Sequence, residues 1–533
     1  MSRVRHSIQY IQQKYDSGED RSLLEGLVRA FRGIQKLKPD NPDSFWMIAG
    51  YHGEPFRGPG ATDPKWWGGY CNHGNILFPT WHRAYLHRLE NALRKVPKCQ
   101  DVTLPYWDEL LDHEHPIPSI FLSPTFNLDE DDCNPLYSYK LQLDLDEKVT
   151  GANNRYTKAA GYETVRFPLS GLVGTEEDRK NTKVWNSGFT DAESRNKLLN
   201  NNVRQWLDGT IKLEADPGGR IPDTYSVRSR YQRCLRAPNY TVFSNTVAQA
   251  KWIEDHKLEP DVVVSLESPH NAIHLAVGGF YQEGVYNANV KPLLYANGDM
   301  GDNETAGFDP IFFFHHAFID YAFWTWQKWH GRTKPGSLDV ITGYPGTYLE
   351  EGQAGEPDMP PNTKLTMDTP LYPFKNAAGD YVTSNDVTNI EEQLGYAYGP
   401  GSLDPVLRTP AGPKPTEPLA TIKRVSGINR ADYAGSFVIR LLAVDANGKK
   451  IEIGREPVLS RWSVTGCKNC QTSLNVKSHV PIHESLMRAL TGPAGDPAGI
   501  QYECVIQTHN LPGEPQVPHD GLRTAPQAVI DDL

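Results

Sequence analysis

Apolar positions recur at helical spacing near the start of the chain. Ile8, Ile11 and Tyr15, then Leu23, Leu24, Leu27, Val28 and Phe31, fall on one face of a helical period. A second helical run follows Pro79, where Leu86, Leu89 and Leu93 stay in phase and the proline suits a first turn. Between these runs, residues 53–72 are rich in glycine and proline and read as a loop. Residues 99–124 form an extended, proline-broken segment containing Pro105-Tyr-Trp-Asp108. Residues 125–260 are poorly periodic and read as long loops and short helices, with Asn200 to Trp206 among the helical pieces. Near residue 400 the pattern changes. Thr409 to Pro418 is proline-rich and reads as a semi-rigid linker. Ser436 to Val444 then reads as a strand, Asp445 to Gly448 as a turn, Lys450 to Ile453 as its hairpin partner, and Gln501 to Gln507 as a further strand. The pattern predicts a mainly α fold: a helical-bundle core with long loops over 1–400, a linker over 401–418, a β-sandwich-like unit over 419–515 and a tail over 516–533.

A chain of 533 residues can bury a large core and form more than one domain. The net charge of −11 argues against nucleic acid and anionic membranes as partners. No apolar run approaches the length of a spanning helix. The first residues, Met-Ser-Arg-Val-Arg-His, lack the apolar core of a signal peptide, so a cytoplasmic location is expected, with other export routes left open. Seven irregularly spaced cysteines do not form a disulfide framework.

The histidines change the picture. His270 and His274 are four apart, so one helical face presents both rings to one point. Downstream, Asp309-Pro-Ile-Phe-Phe-Phe-His-His316 ends in two adjacent histidines, which on a helix diverge by ~100°, so only one can readily join that pair. A second set, His52, His73 and His82, surrounds the glycine-rich loop and the start of the next helix. Three neutral imidazoles suit copper, zinc, iron or nickel, and two such sets on helices describe a binuclear site inside a bundle.

Together with His52, the motifs Cys71-Asn-His73, Phe78-Pro-Thr-Trp-His-Arg83, His270-Asn-Ala-Ile-His274, Asp309 to His316, Asp320 and Trp326-Gln327 resemble the tyrosinases. These are coupled binuclear (type 3) copper oxidases, and the likeness is nearer to the fungal-type branch. Tyr321 and Phe323 depart from the arginine and tryptophan usual in that family. The resemblance implies two copper ions, one held by His52, His73 and His82 and the other by His270, His274 and His316, with O2 as co-substrate. It implies outer support from His315 and Asp320, and a thioether between Cys71 and His73. Glu267 and Asn271 would hold a water that takes the proton from an incoming phenol. Tyr396-Ala-Tyr398 would close the core by packing on an arginine near the N-terminus, for which Arg5 is the candidate.

The expected activity is ortho-hydroxylation of monophenols and oxidation of o-diphenols to o-quinones. A catechol oxidase without hydroxylation, or a haemocyanin-like oxygen carrier, would use the same six histidines. The C-terminal domain would cover the mouth and keep the enzyme latent. Trp462 is nominated as the aromatic plug, with Phe437 and Tyr502 as rivals. Cys467 and Cys470 form a candidate copper-loading pair, with a disulfide or zinc as alternatives. The partners expected are small phenols and catechols, with no nucleic acid and no membrane, and a homo-oligomer is left open.

Overall fold

The computed structural model describes residues 3–53, 68–146, 157–213, 219, 225–257, 262–280, 296–349, 359–360, 362–405, 418–433, 435–445, 447–462, 464, 474–491, 499–508 and 528–533. The helical part runs α1 (Ile8–Asp16), α2 (Ser22–Lys36), α3 (Phe45–Gly50), α4 (Phe78–Arg94), α5 (Glu176–Asn186), α6 (Ala192–Asp208), α7 (Val227–Cys234), α8 (Tyr240–Ser244), α9 (Thr246–Asp255), α10 (Glu267–Gly278) and α11 (Ile311–His330). Here α4 packs on α2 and α11, and α10 packs on α6, α7 and α11. Every residue of α10, and of α11 from Ile311 to Gln327, is buried. A helix apolar on all sides belongs at the centre of a bundle. Phe312, Phe313 and Phe314 are fully buried, each worth roughly 1.5–3 kcal/mol of transfer free energy. The central helix ends where Gly331 takes a left-handed φ of 66°.

The predicted helix after Pro79 is α4, with proline in its first turn. The amphipathic runs near the start are α1 and α2. The stretch 125–260 holds more order than its periodicity suggests. Helix α6 extends well beyond Asn200 to Trp206, and its many polar positions hide the apolar side formed by Leu199, Val203, Trp206 and Leu207.

The N-terminus closes onto the end of this unit. Strand β1 (Arg3–Arg5) pairs in parallel with β6 (Tyr396–Tyr398), and the Arg5 guanidinium lies 3.5 Å from the centre of the Tyr396 ring. The expected arginine–tyrosine packing is therefore present. Two short hairpins, β2–β3 (Thr125–Leu128, Asp131–Cys133) and β4–β5 (Pro370–Lys375, Tyr381–Thr383), decorate the bundle. Tyr321 stacks on Tyr106 at 4.8 Å and donates to Asp404 at 2.8 Å. The Phe323 ring receives the Arg83 guanidinium at 4.1 Å. Both departures from the family pattern are thus absorbed by local packing.

From Leu419 the chain is β. Two three-stranded antiparallel sheets form, ordered β10–β7–β12 (Asn475–His483, Leu419–Asn429, Val529–Asp532) and β11–β8–β9 (Gln501–Thr508, Phe437–Val444, Lys450–Val458). Val425, Ile428, Val480 and Ile482 of one sheet share a core with Phe437, Ile439, Leu441 and Ile453 of the other, capped by α12 (Glu484–Thr491). The sheets meet so closely at Gly454 that a Cβ there would stand 2.2 Å from Val480. This is the sandwich that the strand pattern predicts.

Two boundaries need correction. The last residues are not a free tail, because β12 adds an edge to β7; four residues are too few to show an alternating pattern. The start of the expected linker is docked on the core. Ser402 donates to Asp108, and the Tyr106 hydroxyl donates to the Pro400 carbonyl at 2.8 Å. Residues 406–417, the proline-rich heart of the linker, lie outside the described residues. Among the described residues, no helix is long and apolar enough to cross a membrane.

Candidate metal centre

Helix α10 presents His270 and His274 one turn apart, and α11 crosses it with His316 facing them. The Nε2 atoms of His270 and His274 each stand 3.3 Å from Nε2 of His316. Nitrogens bound ~2.0 Å from one tetrahedral ion would be about 3.3 Å apart, so this spacing is that of a ligand set. His274 Nδ1 donates to the Met300 carbonyl at 2.8 Å, and His270 Nδ1 to Asn271 Oδ1 at 2.9 Å. Those bonds fix the tautomers and turn the Nε2 lone pairs inward. Opposite, His82 Nδ1 donates to the Phe78 carbonyl at 2.8 Å and His52 Nδ1 to the Asn303 carbonyl at 3.3 Å. The Nε2 atoms of His52, His73 and His82 are buried with no hydrogen-bond partner. Their ring centres lie 5.4–5.7 Å apart, and the His82 ring stacks on His316 at 4.4 Å, which joins the two sets.

Burial pushes all these imidazoles below their ordinary range, His82 to about 3, with the neighbouring rings adding to the effect for most of them. Neutral rings with orphaned, converging nitrogens are the electronic state a metal ion needs. The donor set fits copper.

A profile of the common central domain of tyrosinase matches residues 42–329, more than half of the chain. The chain is 48% identical over 497 residues to the tyrosinase HcTyr2 of Hahella sp. (strain CCB-MM4), covering 90% of this chain and 88% of that one. The chain belongs to the tyrosinase family. A tyrosinase of Aspergillus oryzae (strain ATCC 42149 / RIB 40) is 44% identical over 488 residues, 86% of each chain. The structure of the tyrosinase from Burkholderia thailandensis at low pH superposes with a TM-score of 0.81 at 43% identity, covering both chains completely. Tyrosinases are a binuclear copper family, in keeping with the two histidine clusters.

In this tyrosinase-family chain the adjacent pair His315-His316 does not divide as helical geometry alone predicts. His315 also reaches the cluster, stacked on the His270 ring at 5.3 Å and 5.0 Å from His274. The reason is the close crossing of α10 and α11, which leaves both neighbours within range. What separates them is that His316 also joins the set of His52 and His82, while His315 is held from behind by a residue the sequence reading missed. Glu109 Oε1 lies 2.5 Å from His315 Nδ1, and the Tyr231 hydroxyl donates to Glu109 Oε2 at 2.6 Å. Burial pushes the Glu109 carboxyl well above the usual range and His315 down to about 3, so one proton between them satisfies both. The only hint in the sequence is that Glu109 directly follows the Pro105-Tyr-Trp-Asp108 segment.

Glu267 is not an open charge at the mouth. Its carboxylate accepts from Gly74 N–H at 2.8 Å, Thr246 N–H at 2.9 Å and the Thr246 hydroxyl at 3.0 Å. It therefore ties the loop after His73 to α9 and α10. Three of its roughly four lone-pair positions are filled, which leaves one for a further donor. Asp320 touches no histidine directly; it anchors α11 to Arg83, Tyr396 and Tyr398. Cys71 is buried, forms no disulfide, and accepts from Asn303 Nδ2 at 3.7 Å.

The nominated plug, Trp462, is buried, its ring packing with Leu172 and Trp185, and its backbone N–H is held by Glu304 Oε1 at 2.8 Å. Phe437 is sandwich core, as its rivalry with Trp462 allowed. Cys467 and Cys470 lie outside the described residues.

Proposed function

We propose that the protein is an O2-dependent phenol oxidase that hydroxylates monophenols at the ortho position and oxidises o-diphenols to o-quinones. The balances are phenol + O2 → o-quinone + H2O and 2 catechol + O2 → 2 o-quinone + 2 H2O. What carries the reading is the convergence of unpartnered Nε2 atoms from His52, His73 and His82 on one side and of the mutually facing Nε2 atoms of His270, His274 and His316 on the other. Bound there, a copper pair supplies dioxygen binding and two-electron redox chemistry. The protein's part is to hold the rings neutral, exclude water and place the phenol. A Cys71–His73 thioether belongs to the same proposal and is read from intact mass as the loss of two hydrogens. Oxygen uptake by the copper-loaded chain with a monophenol and with a catechol tests the activity. Uptake with catechol alone would make it a catechol oxidase, and reversible oxygen binding without turnover would make it a carrier.

Glu267 and Asn271 carry the hydroxylase half of the proposal. Asn271 spends Oδ1 on His270, which leaves its amide nitrogen to face the cavity beside it. With the remaining Glu267 lone pair it can hold a water that accepts the phenol proton. Glu267→Gln or Asn271→Ala should lower monophenol turnover about 100-fold or more, and catechol turnover far less. Glu267→Gln also sets an amide donor against a buried donor, at about 1–3 kcal/mol, so melting and copper content are measured alongside. Equal losses on both substrates at unchanged copper would remove the base role.

Latency is the third component. The sandwich docks on the helix that carries His270 and His274. Glu456 accepts from Arg230 and Ser268 at 2.9 Å, and Arg461 donates to the Gly68 carbonyl at 3.0 Å. Glu254 of α9 faces Lys477 at 2.8 Å, His479 and Arg424 at 3.5 Å. Hydrogen bonding from His479, then Lys477, holds the Glu254 carboxyl at about 2, below its ordinary 4.5. A depressed acid stabilises docking above its ordinary value, and that contribution is lost as pH falls between about 4.5 and about 2. Catechol turnover should therefore rise on truncation after Pro405, which keeps the docked Ser402 and Asp404, and rise partly for Glu254→Gln without acid. Equal rates for full, truncated and Glu254→Gln chains would mean that nothing covers the site.

A further inference from the structure

One cavity backs onto the metal centre from outside. It holds about 230 Å³ where the C-terminal sandwich meets α9 and α10, with Thr246 and Asn271 on one side and Arg430 and Glu456 on the other. Thr246 holds Glu267, and Asn271 holds His270, so the cavity borders the residues that fix both. The charges around it are matched, with one exception. Glu456 is tied to Arg230 and Ser268, Lys477 to Glu254, and Lys251 to Asp255. Arg430 has no carboxylate within ion-pair distance among the described residues. Its Nη1 donates to the Leu459 carbonyl at 3.1 Å, and its Nε is buried with no hydrogen-bond partner. Glu267 is close enough for its charge to act on Arg430, but its carboxylate makes its hydrogen bonds to Gly74 and Thr246 and not to that guanidinium. A guanidinium placed so is costly, and an entering carboxylate would offset that cost with charge-assisted hydrogen bonds.

Resting on the phenol-oxidase reading above, we infer that this cavity receives the carboxylate of phenols with an acidic side chain, and that Arg430 is the specificity-determining residue. The cavity lies below the roughly 300–1,000 Å³ usual for larger ligands, which suits a single ring with a short acidic arm. The residue comes from the turn after β7, so the docked C-terminal unit selects the substrate as well as covering the site. This differs from an aromatic plug: a cation at the mouth attracts one chemical class of phenol and leaves the others unassisted.

The test uses the full chain with arginine, Arg430→Gln and Arg430→Lys. Benzoate titrated by calorimetry into the copper-free protein should bind about 10- to 100-fold more weakly to Arg430→Gln, with Arg430→Lys in between. In the copper-loaded chains, kcat/KM for 4-hydroxyphenylacetate should fall by a similar factor in Arg430→Gln, while that for 4-methylphenol changes less than about twofold. Equal benzoate affinity in all three chains overturns the inference. So does an equal fall for the acidic and the neutral phenol, which would make Arg430 a structural residue. If neither these full chains nor a chain truncated after Pro405 oxidises either phenol, the phenol-oxidase reading fails, and the benzoate titration still decides the role of Arg430.

Discussion

Alanine at position 316 should abolish phenol and catechol turnover and cost the chain one of its paired coppers, whereas alanine at 315 should leave both bound. The two side chains are sequence neighbours, equally buried and within one cluster, so only their bonding distinguishes them. His316 puts Nε2 3.3 Å from Nε2 of both His270 and His274, and its ring stacks on His82. Removing it takes a donor from the second set and the packing between the two sets at once. His315 is held from behind by Glu109 and packs on His270. Its loss should act as the loss of an outer partner does, about 10- to 100-fold in rate. Loss of a ligand should exceed that range. Copper per chain, measured beside oxygen uptake, reads both. If His315→Ala loses copper and His316→Ala keeps it, the two roles are exchanged, and Glu109 would orient a ligand.

The difficulty with that pair shows what the sequence carried. Spacing along one helix was legible: His270 and His274 are one turn apart and do converge, and His82 lies in the first turn of the helix that Pro79 starts. The strand runs after residue 436 were legible too, because their apolar residues are buried in a shared core. Relations between elements were not. That α11 crosses α10 closely enough to admit both His315 and His316 depends on small-scale packing of two helices buried all round, which leaves no exposed stripe to mark a face. Glu109, Asn303 and Met300 support histidines distant from them in the chain, two through backbone carbonyls, which every residue possesses. Glu267 read as half of a water-holding pair, and a sequence does not show the Gly74 and Thr246 donors that also meet its carboxylate. Trp462 was chosen for its aromatic type, but the docked loop turns its ring into Leu172 and Trp185. The residue that does meet the cavity, Arg430, sits in a short turn with no pattern around it.

Asp320→Ala should be the most destabilising single change outside the histidines, by about 3–5 kcal/mol, because it removes the acceptor at the centre of a buried network. Asp320 lies one turn beyond His316 on α11, and its carboxylate is buried. It receives Arg83 Nε at 2.5 Å, the hydroxyls of Tyr396 and Tyr398 at 2.6 Å each, and Arg5 Nη1 at 3.5 Å. Three of these residues have other support, the Tyr398 hydroxyl also reaching the Ala317 carbonyl at 3.1 Å. Arg5 is paired with Glu90 at 3.0 Å, and Arg83 Nη1 reaches the carbonyls of Val387 and Thr388. The Tyr396 hydroxyl and Arg83 Nε would be left facing apolar surroundings, and buried unmet donors cost about 1–3 kcal/mol each. The network also ties four distant segments, β1, α4, α11 and β6, so its loss should loosen the closure of the helical unit. Asp320→Asn keeps one acceptor oxygen and the shape of the side chain but removes the charge, so its cost should be intermediate. Denaturant unfolding of copper-free chains, followed by circular dichroism, gives the order: wild type, then Asn, then Ala. A cost below about 1 kcal/mol for Ala would mean that the arginines find other partners and that the network does not hold the bundle shut. If the order holds, copper affinity should decline in the same sequence, because His316 is carried by the helix that Asp320 anchors.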